Sequence, residues 1–330
     1  MKTQFIQIDG IEKISLQTQE LNQSPLSATE VIIQSHLSYI SPGTELSRVF
    51  GLKEGATYPV RPGYCTVGTI LKSGRDDILA GDRVLATAPH SSAFRFDPAK
   101  SDGGVLYKLD PKTSDEEGAF LEMAWIACNG ILPAEVKLGD RVLVLGLGTL
   151  GLVVSRLYQS MGCEVLGADS QKERVQRALA MGIPAIDCTE ADLIINSHGT
   201  FDICVDAAGV SQAEATTILC ASKYGQVLFL GSPRTSHTMD VTPIFNRIHM
   251  NMLTIIGAMN RRYPFAPTSG SRMNIQRTMA HLESLLHSKF IDVEKFISHR
   301  IKPEPDEVLK AYQGLMYDKD HYLGVIINWK

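Results

Sequence analysis

Two patterns of hydrophobic and polar positions divide the chain. Up to about residue 120, short β-branched runs such as residues 66–71 and 82–87 are separated by Gly and Pro turns. Beyond about residue 121, strand-like apolar runs alternate with segments of helical period. The first pattern predicts a small β-barrel or sandwich. The second predicts a parallel sheet with helices on both faces.

The second part contains enough strand candidates for a complete doubly wound sheet. Predicted helices at 152–158, 171–181 and 212–220 lie between them, and the tail has a helix signal at 306–317 and a strand-like run at 324–329. We expect the tail to rejoin the first part, so that the sheet domain is an insertion. The six predicted strands cover residues 141–145, 164–168, 185–186, 201–206, 226–230 and 253–256.

A glycine turn follows the first of these strands. Gly146, Gly148 and Gly151 have the spacing Gly-x-Gly-x-x-Gly between a strand and a helix. The first glycine permits a tight turn, the second lets the backbone approach a pyrophosphate, and the third lets the helix pack close to the strand. The helix start offers unpaired N–H groups to the phosphates. This pattern predicts a dinucleotide site.

An acidic residue at the end of the next strand indicates which dinucleotide is bound. Asp169 lies 23 positions after Gly146, where a carboxylate binds both ribose hydroxyls of NAD and repels a 2′-phosphate. Lys172 and Arg174 follow closely and partly offset this repulsion. We therefore predict NAD(H) as the cofactor.

Composition excludes several classes of protein. The 330 residues are 44% hydrophobic with a net charge of −4, which is enough for two domains and does not suggest a nucleic-acid partner. The N-terminus lacks the apolar segment of a signal peptide, and no apolar run reaches bilayer length. Six cysteines without a Cys-x-x-Cys pair do not suggest a disulfide framework. We expect a cytoplasmic protein with no membrane association.

Several further motifs make the chain resemble the medium-chain dehydrogenase/reductase superfamily over essentially its whole length. These are Ser-Pro-Gly-Thr-Glu at 41–45, Pro-Gly-Tyr-Cys-Thr-Val-Gly at 62–68, Gly-Asp-Arg-Val at 81–84 and Lys-Leu-Gly-Asp-Arg-Val at 137–142. The first two look most like bacteriochlorophyllide a dehydrogenase-like proteins. The resemblance implies an α/β protein with a GroES-like β-barrel catalytic domain (1–120), a Rossmann NAD-binding domain with a six-stranded parallel sheet (121–289) and a return to the catalytic domain (290–330).

The chain departs from the zinc pattern of that family. Pro42 occupies the position of the family's Cys ligand, Tyr64 that of the His and Cys65 that of the Glu, so that only Glu122 still offers an oxygen. A catalytic zinc needs three thiolate, imidazole or carboxylate ligands. The four cysteines of a structural zinc are also missing between residues 86 and 110. We predict that no metal is bound.

Without zinc, hydrogen-bond donors must stabilise the charge that develops on the substrate. Thr44 matches the family's hydroxyl residue at the substrate oxygen, and Tyr64 replaces a metal ligand, so both are candidate catalytic residues; Tyr64 alternatively only fills the vacated space. Glu122 lies in an apolar segment, where a carboxylate is costly unless it is paired. It is either an active-site acid or the partner of a basic group.

Other site residues follow from position and from the resemblance. Glu45 matches an acid that supports the family's site, His90 follows a strand towards the cleft, and Met259 and Asn260 follow the last strand of the sheet; we expect these four to contact or shape the substrate site. A solvated carboxylate and a structural histidine are the alternatives for the first two. The predicted cofactor contacts are Gly146, Leu147, Gly148, Thr149, Leu150, Gly151, Asp169, Ser170, Arg174, Ala208, Gly209, Leu230, Gly231 and Ser232.

These features predict a zinc-independent, NAD(H)-dependent oxidoreductase that transfers a hydride between nicotinamide and a small alcohol/carbonyl substrate. One alternative is an NAD(P)H-dependent quinone or enoyl reductase that acts on activated double bonds. A second is a dinucleotide-binding protein without enzymatic activity. We also expect a homodimer that forms through the edge strand at 253–257.

Overall fold

The structure, a computed structural model, describes residues 1–52, 55–101, 104–233, 237–259 and 263–330. The chain divides into two compact units. Unit 1 comprises Met1–Met123 and Pro264–Lys330, and unit 2 comprises Ala124–Tyr263. The second unit therefore interrupts the first in sequence. It ends at residue 263 rather than at 289, because the helix that follows belongs to unit 1.

Unit 1 is mainly β-structure. Its N-terminal part consists of β1 (Lys2–Gly10), β2 (Lys13–Glu20), β3 (Val31–Ile40), α1 (Thr44–Val49), β4 (Thr66–Ser73), β5 (Arg83–Ala86), β6 (Ala93–Phe96), β7 (Leu106–Lys108) and α2 (Asp115–Ile131), the last of which continues past the unit boundary.

Unit 2 alternates strands and helices along the chain. It contains β8 (Arg141–Leu145), α3 (Thr149–Ser160), β9 (Glu164–Ala168), α4 (Lys172–Ala180), β10 (Ala185–Ile186), α5 (Ala191–His198), β11 (Phe201–Asp206), α6 (Ser211–Cys220), β12 (Ala221–Phe229), α7 (Thr242–Asn251) and β13 (Thr254–Gly257). The C-terminal part of unit 1 adds α8 (Ile275–His287), a short 3-10 turn (Val293–Lys295), β14 (His299–Ile301), α9 (Pro305–Tyr317) and β15 (Val325–Asn328).

The tail completes the main sheet of unit 1. The strand order is β14-β15-β3-β4-β5-β7, with β6 also paired to β3 and with β1 and β2 forming a separate hairpin. Strand β15 runs antiparallel to β3, with Val325 opposite Ile40. Apolar side chains from β1, β3, α1, α9 and β15 share one buried core. The tail therefore adds strands and core side chains to unit 1.

Unit 2 is a parallel sheet in the order β10-β9-β8-β11-β12-β13. Strands β8 to β11 have the predicted bounds, since each is an apolar run that ends at Gly or Asp. Strand β12 begins at Ala221, five residues before its predicted start. Its early part is polar and interrupted, with Tyr224 at a φ of 64° and a register shift opposite β11. This irregularity conceals the strand in the sequence.

Two further features bear on the class of protein. Among the described helices, none combines the length and apolar character that a membrane crossing requires. All six cysteines are free thiols.

Candidate active site and cofactor site

The glycine turn of unit 2, residues 146–151, has the geometry expected of its three glycines. Gly146 has a φ of 95°, and a Cβ there would lie 2.6 Å from the backbone nitrogen of Ala208. A Cβ on Gly151 would lie 1.8 Å from the carbonyl oxygen of Gly146. By contrast, a Cβ on Gly148 would meet no atom of the described residues within 4 Å. Gly148 therefore leaves open space at the start of α3, which has no side-chain cap.

The Asp169 carboxylate joins the end of β9 to the glycine turn. Oδ2 accepts the N–H of Leu147 at 2.8 Å, and Oδ1 accepts the N–H of Gln171 at 2.9 Å. Arg174 Nη1 lies 3.3 Å from Oδ2, so this cation partly offsets the charge, as the sequence suggested. The neighbouring Ser170 is exposed. Predicted cofactor residues from β9, α4 and the turn are thus brought together.

Asp206, which the sequence reasoning missed, holds the two remaining loops that were predicted to contact the cofactor. It is fully buried at the end of β11, and Oδ1 accepts the N–H groups of Ala208 at 3.0 Å and Gly209 at 3.3 Å. Its carbonyl oxygen accepts the N–H groups of Leu230 and Gly231 at 3.0 Å. Burial raises the pKa of Asp206 to about 6. The sequence signal that could have identified Asp206 is an acidic residue at the end of a buried apolar strand.

In unit 1, two hydroxyl side chains interact with the Tyr64 phenol. Ser41 Oγ is hydrogen-bonded to the Tyr64 hydroxyl, and the Thr44 side chain also forms a hydrogen bond to this phenol. Burial raises the pKa of Tyr64 well above its usual value, so the phenol stays protonated. The predicted pair Thr44 and Tyr64 is therefore brought together, with Ser41 as an additional member. We call these three residues the hydroxyl cluster.

Glu45 and His90 are buried beneath the hydroxyl cluster and contact each other. Glu45 Oε1 accepts the Ser41 N–H at 2.7 Å, while Oε2 lies 2.8 Å from His90 Nε2 and accepts the Tyr312 O–H at 2.6 Å. Both carboxylate oxygens of Glu45 and both ring nitrogens of His90 thus have hydrogen-bond partners within the protein. Glu45 is 1% exposed and His90 is 0% exposed. The expectation that these residues contact substrate is corrected, because their polar atoms are directed into the protein.

Cys65 and Glu122 form a second buried pair. Burial raises the pKa of Glu122 to about 8, and burial together with the charges of Glu122 and Glu45 raises the pKa of Cys65 well above its usual value. Glu122 Oε2 has no hydrogen-bond partner among the described residues, and no basic side chain there forms an ion pair with it. Glu122 is thus a neutral, buried acid at pH 7 rather than the partner of a cation.

Met259, one of the last two predicted site residues, follows β13. Met259 is 69% exposed, and its carbonyl oxygen accepts the Asn129 side-chain N–H at 3.2 Å. Asn260 lies outside the described residues. The structure therefore places only the first of this pair.

Several sequence relatives of the chain are named as dehydrogenases. It is 26% identical to (R,R)-butanediol dehydrogenase of Bacillus subtilis over 184 residues, which are 47% of this chain and 53% of the relative. It is 22% identical to an uncharacterised zinc-type alcohol dehydrogenase-like protein of Haemophilus influenzae over 320 residues, covering 86% and 91% of the two chains. The alignments with the first relatives span about half of their length. No family model matches the chain.

Solved structures of dehydrogenases match almost the entire chain. Galactitol-1-phosphate dehydrogenase from Escherichia coli superposes with a TM-score of 0.83 at 17% identity, covering 98% of this chain and 99% of that one. The chain has the medium-chain dehydrogenase fold. Its homologues are zinc-type alcohol dehydrogenase-like proteins. Unit 1 corresponds to the GroES-like domain and unit 2 to the Rossmann domain, as expected.

Two other structures with this medium-chain dehydrogenase fold contain cofactors. An alcohol dehydrogenase from Escherichia coli CFT073 is complexed with NADH, with a TM-score of 0.79, 18% identity and coverage of 99% of both chains. A dehydrogenase from Sinorhizobium meliloti 1021 is bound to NADP, with a TM-score of 0.78, 16% identity and coverage of 99% of both chains. The fold thus accommodates either nicotinamide cofactor.

The side chains present at this site do not fit a catalytic zinc. Cys65 and Glu122 are buried here, and together they supply only two of the three thiolate, imidazole or carboxylate ligands that a catalytic zinc needs. Glu45 is occupied by three hydrogen-bond donors. Within the described ranges, no three His, Cys, Asp or Glu side chains are grouped to hold a metal ion.

Proposed function

We propose that the chain is an oxidoreductase that transfers a hydride between NAD(H) and an alcohol/carbonyl pair, and that its own hydrogen-bond donors replace the metal. The observation that carries this proposal is the hydroxyl cluster: a protonated Tyr64 phenol, bonded to Ser41, stands in the sequence position of a zinc ligand. Relatives named for the oxidation of diols and polyol phosphates support the reaction class.

The cofactor site supports NAD(H) rather than NADP(H). The open space beside Gly148 and the uncapped start of α3 suit a pyrophosphate. The Asp169 carboxylate suits ribose hydroxyls and disfavours a 2′-phosphate, although Arg174 reduces the difference. Leu147, Gly148 and Thr149 would hold the pyrophosphate, and the loops braced by Asp206 would hold the nicotinamide half.

The side chains of unit 1 would donate a hydrogen bond to the substrate oxygen and accept the proton that the substrate loses. When bound, the cofactor supplies the carbon that accepts or donates the hydride. The hydroxyls of Ser41 and Thr44 donate to the Tyr64 oxygen, which leaves the Tyr64 O–H to donate to the substrate oxygen and stabilise its developing charge. During alcohol oxidation the substrate also loses a proton. Glu122, ionised above about pH 8, is the proposed acceptor of that proton.

We further propose that the protein acts in the cytoplasm as a homodimer joined through β13. That strand is at the edge of its sheet. Ile255 on β13 and Phe245 and Met250 on α7 are 38%, 64% and 63% exposed, which is unfavourable for an isolated unit. Six free thiols agree with a reducing compartment.

A substrate panel with matched variants tests the proposed reaction. Secondary alcohols, diols and polyol phosphates are offered with NAD+, and enones and quinones with NADH and NADPH. We expect alcohol turnover that falls about 10²-fold in kcat in Tyr64→Phe, the loss typical of a removed oxyanion donor. Tyr107→Phe also loses a buried O–H bond to a carboxylate, at 2.7 Å from Glu283, and should retain activity.

Two results would contradict the proposal. Turnover confined to activated double bonds would favour the reductase alternative, and NADH binding without any turnover would favour the non-enzymatic one.

Elemental analysis of the purified protein tests whether a metal is bound. We expect substoichiometric zinc and activity that survives dialysis against a chelator, whereas one zinc per chain with chelator-sensitive activity would overturn the metal-free assignment.

A further inference from the structure

A line of hydrogen bonds leads from Trp329, which follows the C-terminal strand β15, through the interior of unit 1 to the hydroxyl cluster. Trp329 Nε1 donates to Ser38 Oγ at 2.9 Å, and Ser38 Oγ lies 2.8 Å from His90 Nδ1. His90 Nε2 lies 2.8 Å from Glu45 Oε2. Each member belongs to a different segment of the chain, so the line is a tertiary feature.

The chemistry of the members gives the line a direction. The indole N–H of Trp329 can only donate, so Ser38 Oγ accepts from it and keeps its own O–H available to donate to His90 Nδ1. In that arrangement His90 Nε2 is the nitrogen that donates to Glu45 Oε2. Every donor in the line is satisfied when Glu45 is the ionised acceptor at its end.

Glu45 also receives a donor from helix α9. The Tyr312 O–H donates to Oε2 at 2.6 Å, although Tyr312 is 267 positions away in sequence. Tyr312 is fully buried, and burial together with the Glu45 charge raises its pKa well above the usual value, so it keeps its proton. Two donors thus hold one oxygen of a buried carboxylate, where charge-assisted hydrogen bonds are strong.

The other oxygen of Glu45 controls the backbone at the hydroxyl cluster. Oε1 accepts the Ser41 N–H at 2.7 Å, and the Ser41 hydroxyl in turn bonds to Tyr64. A shift of Glu45 would therefore shift Ser41 and rotate the phenol away from its present direction.

We propose that Tyr312 and His90 are positioning residues that set the orientation of the Tyr64 phenol through Glu45 and Ser41. The inference rests on the proposed function only in that Tyr64 donates to the substrate oxygen. It assigns a functional role to Tyr312, a residue of the C-terminal helix that has no sequence motif of its own.

Unit 1 contains two buried tyrosines whose comparison distinguishes an effect on Tyr64 orientation from a general loss of stability. The Tyr107 O–H also donates to a buried carboxylate, Glu283, at 2.7 Å. The other donors to Glu283 are the N–H of Asp110 and the hydroxyl of Thr113, and neither leads to the hydroxyl cluster. Tyr312→Phe and Tyr107→Phe therefore remove the same kind of bond, but only the first is connected to Tyr64.

Tyrosine NMR of the full chain tests the proposal without a substrate. The ten tyrosines are labelled with 13C at Cζ, and the Tyr64 signal is identified by its loss in Tyr64→Phe. We expect the Tyr64 signal to shift by more than its linewidth in Tyr312→Phe and to stay in place in Tyr107→Phe. An unmoved Tyr64 signal in folded Tyr312→Phe would overturn the proposal. If that variant does not fold, Ser38→Ala, which removes the hydroxyl that orients His90, replaces it under the same criterion.

A double-mutant cycle provides the kinetic arm, with whichever alcohol of the substrate panel is turned over best. Tyr312→Phe should lower kcat about tenfold, as for one lost charge-assisted bond, and leave the KM for NAD+ unchanged. In the Tyr64→Phe background the same substitution should change kcat less than twofold. Equal losses in both backgrounds would contradict positioning. Full activity of Tyr64→Phe itself would instead refute the proposed function, and the NMR arm would still decide the role of Tyr312.

Discussion

Glu122 is a single residue whose environment sets its charge. Its carboxyl is 2% exposed, and burial raises its pKa from 4.5 to about 8. Between these two pH values the folded protein therefore holds one more proton than the unfolded chain. The free energy of unfolding consequently falls as pH rises through this window.

We predict that Glu122→Gln flattens this pH dependence. Urea unfolding at pH 6 and pH 9 should show the variant gaining stability relative to wild type as pH rises. Between pH 6 and pH 9 the gain should be on the order of 3 kcal/mol, since about two pKa units separate pH 6 from the Glu122 pKa of about 8 and each unit corresponds to about 1.4 kcal/mol. An identical difference in stability between the two proteins at both pH values would show that Glu122 is not held neutral by burial.

At the scale of an element, two glycines between β8 and α3 have different roles. Gly151 is required by packing, because a Cβ there would lie 1.8 Å from the Gly146 carbonyl oxygen. Gly148 faces open space and has a φ of −74°, which any residue adopts. The fold therefore requires the third glycine of the motif, whereas the second is available for a ligand.

This difference predicts opposite behaviour for two alanine substitutions. Gly151→Ala should destabilise the protein by about 3 kcal/mol, the upper range for overpacking, with loss of cofactor binding as a consequence. Gly148→Ala should melt within about 2 °C of wild type and nevertheless bind NADH at least tenfold more weakly. Differential scanning fluorimetry and calorimetry measure the two effects. Wild-type affinity in Gly148→Ala would remove this residue from the cofactor site.

At the scale of the whole molecule, the proposed dimer predicts a specific effect of charge at the edge of the unit 2 sheet. Light scattering after size exclusion should give twice the mass of the chain at micromolar concentration. Ile255→Lys, on β13, should give the monomer mass, because a lysine at a sheet edge opposes strand pairing. Leu193→Lys, at an exposed leucine on α5, is the control and should stay dimeric. A monomeric wild type would contradict the proposal.

The fold could be predicted from the sequence where an element is determined by residues close together in the chain. Strands β8, β9 and β11 are largely buried apolar runs with sharp ends. The glycine turn and Asp169 predict a nucleotide site within a segment of 30 residues. Helix α8 was not predicted from the sequence, and its residues were placed in the predicted Rossmann domain, whereas the structure places them in unit 1. It belongs to unit 1 because Glu283 binds Tyr107 and Thr113, contacts about 170 positions apart.

The candidate site was predictable only in part, for the same reason. Tyr64 and Thr44 could be paired through the resemblance to a known family. The placing of Ser41, His90 and Tyr312 around Glu45 depends on pairings between distant segments, for which the sequence carries no local signal. His90 was therefore expected to face substrate, whereas both described ring nitrogens bond to protein.

The central claim is that the glycine turn and Asp169 select NAD(H). Isothermal titration calorimetry of the purified full chain with NADH and NADPH tests it most directly. Wild type should bind NADH at least tenfold more tightly than NADPH, and Asp169→Ala should lose most of that preference. Asp202→Ala, which also removes a carboxylate that accepts a backbone N–H in unit 2, at 2.9 Å from Arg141, should retain it. Binding of neither nucleotide, or tighter binding of NADPH by wild type, would contradict the account.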